Sequence, residues 1–166
     1  ERFESRGLGD VYKRQVQTAI INDEKISGTS IILLNETIDG GPIICQEKYK
    51  IKPEETYSEI IERLFLIGAE SINKVLTNTD LISKARPQNE EEATHTKKME
   101  KIDGYINWKQ DGKKIIQIIK ALSEKPGTYS FIDEKKIKIH KASNFEKSEF
   151  HNCLLYTSDA ADEVDG

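Results

Sequence analysis

The sequence predicts an α/β unit, then a polar linker, then a small β-rich domain. Three observations carry this. Two apolar strand-like runs, residues 29–34 and 43–51, flank a polar loop with Gly40-Gly41 and lead into a segment of helical period. Residues 78–101 turn polar, with Pro87 and three consecutive glutamates. The stretch "TYSFIDEKKIKIHKA" alternates apolar and polar residues on both sides of Asp133-Glu134, as a β-hairpin does.

Each element has its own signal. Pro53 precedes "TYSEIIERLFLIGAESINKVL", where Thr56 and Glu59 form a T-x-x-E capping box that opens a helix. Tyr57, Ile60, Ile61, Leu64, Ile67, Ile72 and Val75 recur at helical spacing, so one face is expected to pack on a sheet. After the linker, "GYINW" reads as a short strand. Asp111 is a candidate N-cap for a helix over residues 113–122, with Ile115, Ile116, Ile118, Ile119 and Leu122 as its buried face. Pro126-Gly127 ends that helix and introduces the hairpin. No internal repeat is present.

The 166 residues carry a formal net charge of −4. Residues 16–92 hold 8 basic and 14 acidic side chains, whereas residues 93–152 hold 13 basic and 8 acidic. A sign change between halves suggests two modules, the second facing a polyanion; a solvated lysine-rich surface is the simpler alternative. Cys45 sits alone in an apolar run, so neither a disulfide framework nor a cysteine metal cluster is expected, and a cytoplasmic setting is the simplest reading. No apolar run approaches the roughly 20 residues needed to span a bilayer.

The two ends share an unusual relation. Asp10-Val11-Tyr12-Lys13-Arg14-Gln15 can be encoded by GAT GTG TAT AAG AGA CAG. The reverse complement of that string, read from its second base, gives Cys-Leu-Leu-Tyr-Thr-Ser, which is the sequence from Cys153 to Ser158. Residues 1–15 and 153–166 are therefore expected to be translated adapters of a transposase-based sequencing library, set aside from fold reasoning. The expected division is residues 16–77 as an α/β unit, 78–101 as a linker and 102–152 as an incomplete β domain.

This ordered series resembles the methionyl-tRNA formyltransferase family. "AIINDEKISGTSIILLNETIDGGPIICQEKYKI" is similar to the family's strand, Asp-x-Gly loop and strand, and "GAESINKVL" to its closing helix. "PQNEEEATHTKKMEKIDGYINW" is similar to the family's linker, and "IIKALSEKPGTYS" to its Arg-Ala-Phe-x-Pro-x-Pro-Gly-Ala segment. Lys120-Ala121, Glu124-Lys125, Ser30 and Gly41 depart from the usual residues. The resemblance implies the C-terminal end of a Rossmann-like formyltransferase domain, a linker, and a truncated OB-like β-barrel.

The resemblance also implies a chemistry: formyl transfer from 10-formyltetrahydrofolate, without a metal, to the amino group of initiator methionyl-tRNA. It makes Asp39 the family's catalytic Asp, and places Ile38, Asp39, Gly40 and Gly41 against the folate. Locally, Asp39-Gly40 reads equally as a turn. The family's catalytic Asn and His lie just upstream of a stretch like "VQTAIINDEK", so this chain alone is expected to be inactive. His95, His140 and His151 read as polar surface residues without partners at metal spacing. The second module would hold the tRNA through Lys97, Lys98, Lys113, Lys114, Lys136 and Lys138, with Lys135 and Lys141 adding charge. Stacking aromatics are few: Tyr105, Tyr129 and Phe131, with Trp108 read as a core anchor.

Two other readings stand beside this one: a sugar-nucleotide N-formyltransferase, and a non-catalytic nucleic-acid-binding module. Sequencing the source DNA across the Gln15–Val16 junction separates the first two from the third. Asn-x-His followed by Pro-x-x-Arg-Gly, in frame and just upstream of Val16, is the expected result. Finding "SRGLGDVYKRQ" in the genome would leave Asp39 an isolated turn residue and favour the binding module.

Overall fold

A computed structural model describes residues 8–142 except 38, 90, 92 and 95, with only the backbone described for residues 8–13. The first segment contains α1 (Leu8–Ile21), β1 (Ile26–Ile32), β2 (Ile43–Lys50) and α2 (Tyr57–Thr77). β1 and β2 pair antiparallel from Ile26 opposite Lys50 to Ile31 opposite Cys45. The register then slips, so Ile32 faces Ile43. Such a bulge bends the strand where the loop leaves it. β1 starts earlier than its apolar run predicts, because pairing with β2 extends to Ile26. Leu34, expected as its last residue, is 93% exposed.

Thr56 caps α2 in extended geometry, and the Glu59 carboxylate accepts hydrogen bonds from the Thr56 amide at 2.7 Å and hydroxyl at 2.8 Å. These bonds hold the Glu59 carboxyl below its ordinary pKa, the backbone amide contributing most. The helix lies against β1 and β2. Its buried stripe is Ile60, Leu64, Ser71 and Val75. Ile72, expected on this face, lies outside it and is 48% exposed. Ser71 takes the inner position instead, its hydroxyl donating to the Ile67 carbonyl at 2.8 Å.

The expected linker has structure of its own. α3 (Asp80–Ser83) follows α2 directly. Arg86 then pairs with Ile43, the Ile43 amide donating to the Arg86 carbonyl at 2.7 Å and the Arg86 amide to the Ile43 carbonyl at 3.0 Å.

The second segment begins with a 3-10 turn, Lys101–Gly104, followed by α4 (Gly112–Leu122), β3 (Thr128–Ile132) and β4 (Lys135–Ile139). "GYINW" does not form a full strand. Tyr105 makes one parallel bridge to Tyr129, and the Ile106 amide donates to the Tyr129 carbonyl at 2.8 Å. Asn107 then turns the chain, accepting at its side-chain oxygen from the Lys109 amide at 3.0 Å. Asp111 stands at the N-cap of α4, but its side chain makes no capping bond. The buried face of α4 is Ile115, Ile118, Ile119, Ala121 and Leu122; Ile116 is only partly covered. The hairpin turn has Asp133 at φ 45° and Glu134 at φ 68°. Two successive left-handed residues match the right-handed twist of the strands they join. Among the described residues each sheet has two strands, and no closed barrel is formed.

One core joins the two segments. Val16 and Ile20 of α1, Ile60 and Leu64 of α2, Ile106, Ile139 and the apolar face of α4 form one buried cluster. α1, which no sequence signal predicts, runs across the Gln15–Val16 junction and packs along α4. Its polar contacts point the same way. Gln17 donates to the Lys125 carbonyl at 2.6 Å, and the Lys114 ammonium donates to the Ile21 carbonyl at 2.7 Å. Asp23, just past α1, pairs with Lys113 and Lys25, each at 2.7 Å. Cations here also meet the negative end of the helix dipole. Below the second sheet, the Trp108 indole N–H donates to the Ser130 hydroxyl at 2.7 Å, which donates to the Ile106 carbonyl at 3.1 Å.

Truncating Leu122, which is 0% exposed, to alanine should cost about 2–5 kcal/mol. Because the core is shared, denaturant should unfold both segments of Leu122→Ala in one transition. Separate transitions by two probes would contradict a shared core. The Asp23 carboxyl is held well below its usual pKa, by the Lys113 bond first and Lys25 second. A depressed carboxylate stabilises the fold fully above about pH 4 and loses that effect as pH falls through its native value. Asp23→Asn should therefore lower the urea midpoint at neutral pH, by a modest amount since the pair is partly solvated, and the gap to wild type should close in acid.

Candidate functional site

The β1–β2 connection, residues 33–42, carries the candidate loop. Its shape follows from local bonds. The Leu33 amide donates to the Pro42 carbonyl at 2.9 Å, continuing the ladder one step past the bulge. The Asn35 side-chain oxygen accepts from the Thr37 amide at 3.0 Å, a turn that asparagine forms readily. The Gly40 amide donates to the Thr37 carbonyl at 3.3 Å. Asp39 adopts φ 56°, the left-handed region that Asp tolerates better than most residues. Its carboxylate is exposed and has no partner among the described residues.

Gly41 is buried for a steric reason. A Cβ at that position would lie 1.6 Å from the Leu33 carbonyl oxygen. The missing side chain thus admits Leu33, a neighbour inside the loop. Ile38, expected beside Asp39, lies outside the described residues.

The loop is held from the far side by the linker. The Gln88 side-chain amide donates to the carbonyls of both Asp39 and Gly41, each at 2.7 Å. The Ile43–Arg86 bridge sets where Gln88 arrives. Sequence reasoning placed Gln88 within the linker stretch and gave it no role. Two concavities among the described residues lie elsewhere: one is lined by Ile20, Ile51, Pro53 and Gln117, the other by Glu54, Glu59, Arg63 and Leu66. Among the described residues no group of three His, Cys, Asp or Glu is placed to hold a metal ion, and Cys45 is a free thiol.

The six lysines expected to bind RNA do not form one patch. Lys113 and Lys114 face the end of α1 and are occupied there by Asp23 and the Ile21 carbonyl. Lys97 pairs with Asp103 at 3.1 Å, and Lys98 is exposed on the linker. Lys136 and Lys138 alternate along β4 and so share a face. His140 is exposed beyond the end of β4, while His95 and His151 lie outside the described residues. Beside Lys136 and Lys138 lies a cluster whose grouping the sequence did not reveal. Tyr105, Tyr129 and Phe131 have ring centroids 5.7–6.3 Å apart.

Two family models match this chain. One described as formyl transferase covers residues 13–76, and one described as formyl transferase, C-terminal domain, covers residues 98–153. The methionyl-tRNA formyltransferase of Thermodesulfovibrio yellowstonii is 33% identical over 132 residues, covering 79% of this chain and 42% of that protein. The methionyl-tRNA formyltransferase of Dictyoglomus thermophilum is 35% identical over 144 residues, 84% of this chain and 45% of that protein. The chain thus spans somewhat under half the length of these curated relatives. Among solved structures, a variant of HypX from Aquifex aeolicus superposes with a TM-score of 0.68 at 22% identity, over 81% of this chain and 25% of that one. An N-formyltransferase from Helicobacter canadensis, in complex with folinic acid and dTDP-3-aminofucose, gives 0.57 at 22% identity, over 74% and 47%. The architecture is that of the formyltransferase fold, with α/β content and a second, smaller β segment. The chain belongs to the formyl transferase family.

Replacing Gly41 with alanine should displace Leu33 and unseat the loop, detectable as chemical-shift changes across residues 33–42. Gln88→Ala should speed amide exchange at Leu33 and Gly40 while leaving the melting temperature within about 2 °C, since its bonds are at the surface. Unchanged exchange would show that the linker does not hold the loop.

Proposed function

We propose that this chain is part of an enzyme that moves a formyl group from 10-formyltetrahydrofolate to the amino group of initiator methionyl-tRNA. The observation that carries the reading is the match to curated methionyl-tRNA formyltransferases across both segments and the join between them. A loop with a free carboxylate fits a pterin, which presents ring N–H and amino donors. Ile38, Asp39, Gly40 and Gly41 would line that group's edge, with Gln88 fixing the backbone carbonyls they carry. 10-Formyltetrahydrofolate supplies the formyl carbon when bound.

The acceptor amine must attack in its neutral form. Asp39 assists by taking up or steering the proton that the amine releases, directly or through an imidazole that its charge favours. By the resemblance, an Asn and a His complete the catalytic set with Asp39. Tyr105, β3 and β4 belong, in this reading, to an OB-like barrel that faces the tRNA. The alternation of covered Thr128, Ser130 and Ile139 with outward Tyr129, Phe131, Lys136 and Lys138 supports that reading. An enzyme acting on initiator tRNA would work in the cytoplasm.

A second reading, an amino-sugar nucleotide as acceptor, draws on the structural likeness to the sugar formyltransferase from Helicobacter canadensis. The full-length enzyme tests both. Asp39→Asn should lower kcat about 10²- to 10⁴-fold with methionyl-tRNA as acceptor while folate binding persists. Turnover of a dTDP-amino sugar without formylation of methionyl-tRNA would overturn the tRNA assignment.

A further inference from the structure

We infer that the open edge of β1 and the uncovered flank of α2 form one docking surface. Its occupant is a segment of the parent enzyme outside this chain: a strand that pairs with β1, together with an apolar face, rimmed by cations, that packs on α2. The inference rests on the reading above only in that the chain is part of a larger enzyme, and it is independent of the acceptor.

The flank follows from the helical period. Phe65, Ala69, Ile72 and Leu76 follow one another at spacings of four, three and four, so they form a second apolar line along α2. Ile72 is 48% exposed, Phe65 59% and Leu76 71%, and Ala69 is exposed with them. The line runs beside the buried stripe of Ile60, Leu64, Ser71 and Val75. The apolar arc of α2 is therefore wider than β1 and β2 cover.

Two contacts fix which way the line faces. The Lys74 ammonium pairs with Glu47 of β2 at 2.9 Å, so that flank of α2 lies over β2. A Cβ on Gly68 would lie 3.9 Å from the Thr29 methyl carbon, so the opposite flank lies over β1. Phe65 and Ile72, three residues before Gly68 and four after it, are its neighbours on the helix surface. The uncovered line thus overhangs the side of β1 that points away from β2. Among the described residues no strand lies on that side. The outer edge of β2 differs, because Arg86 pairs with Ile43 and the linker crosses there. Between Ile26 and Ile32, β1 also carries no charged residue and no proline, the usual guards of an exposed edge. A bare edge and an apolar overhang on the same side fit one partner: its strand extends the sheet and its apolar face covers the line on α2.

Length and charge identify that partner. The chain covers 42% and 45% of the two curated relatives, so more than half of such an enzyme lies outside it. The outward rim of the line carries Glu62 and Glu70, while Arg63 and Lys74 lie further round, on the β2 side. A complementary rim brings Lys or Arg. A second copy of the chain, related by a two-fold axis, would set this acidic rim against itself, which disfavours self-association.

The test places one substitution in two proteins. In this chain, Leu76→Gln should leave the urea midpoint unchanged, because the side chain is already in water. In the full-length parent the same change buries an amide without partners, and the melting temperature should fall by about 4 °C or more. If that variant of the parent does not fold, Leu76→Ala gives a smaller fall from the same site. Hydrogen exchange supplies a second reading: the β1 amides that point away from β2 should exchange at least about a hundredfold more slowly in the parent than in this chain. A parent as stable with the substitution as without it, or with these amides as fast as in this chain, would overturn the surface. A dimer of this chain that Leu76→Gln splits into monomers would make a second copy the occupant and overturn the assignment to the parent. A parent that passes both readings but formylates no methionyl-tRNA would sink the acceptor assignment and leave the surface standing.

Discussion

The structure depends on the apolar face of α4. Ile115, Ile118, Ile119 and Leu122 follow one another at spacings of three and four, so they form a single stripe along the helix. That stripe meets α1 and α2 from the first segment and lies over Ile106 and Ile139 from the second. With α4 in place, α2 carries the β1–β2 pair on its back, and β3 and β4 find their position over Trp108. The lysines at the start of α4 then fasten the end of α1, so electrostatics finish what burial begins.

Much of this was legible because it is local. The hairpin around Asp133-Glu134 announces itself through alternation on either side of the turn, and α4 and the start of α2 through helical period and, in α2, the Thr56–Glu59 pair. What escaped depends on contacts distant in sequence. Among its described side chains α1 buries Val16, Gln17 and Ile20, with Ile21 partly covered; that is too little periodicity to read without α4 opposite. "GYINW" has strand composition, yet Asn107 turns the chain after one bridge. Ile72 fits the helical period but falls just outside the covered stripe. Lys113 and Lys114 look like any basic pair until Asp23 and the Ile21 carbonyl are seen to occupy them.

The candidate loop divides the same way. Asp39, Gly40 and Gly41 stood out in sequence as an Asp-Gly-Gly turn, and the structure places them together at the tip of the β1–β2 connection. Gln88 did not stand out, because a polar residue in a polar stretch carries no pattern. Its meaning comes from the Arg86–Ile43 bridge, which brings the linker back to the sheet. The linker is therefore a structural support for the loop as well as a connection between segments. A loop held by its own turn bonds, a buried glycine and a long-range amide pays its ordering entropy at folding and not at binding.

Trp108 is the chain's one tryptophan. It sits half-covered beneath the second sheet, its indole N–H held by Ser130 and its neighbours Ile106 and the α4 core. The molecule thus carries a built-in optical reporter, planted where the two segments meet the small sheet. Its emission follows the integrity of that junction, while the β1–β2 tip, which holds no aromatic residue, stays dark to it. Light from one residue and amide signals from the loop accordingly read out two different parts of the same fold.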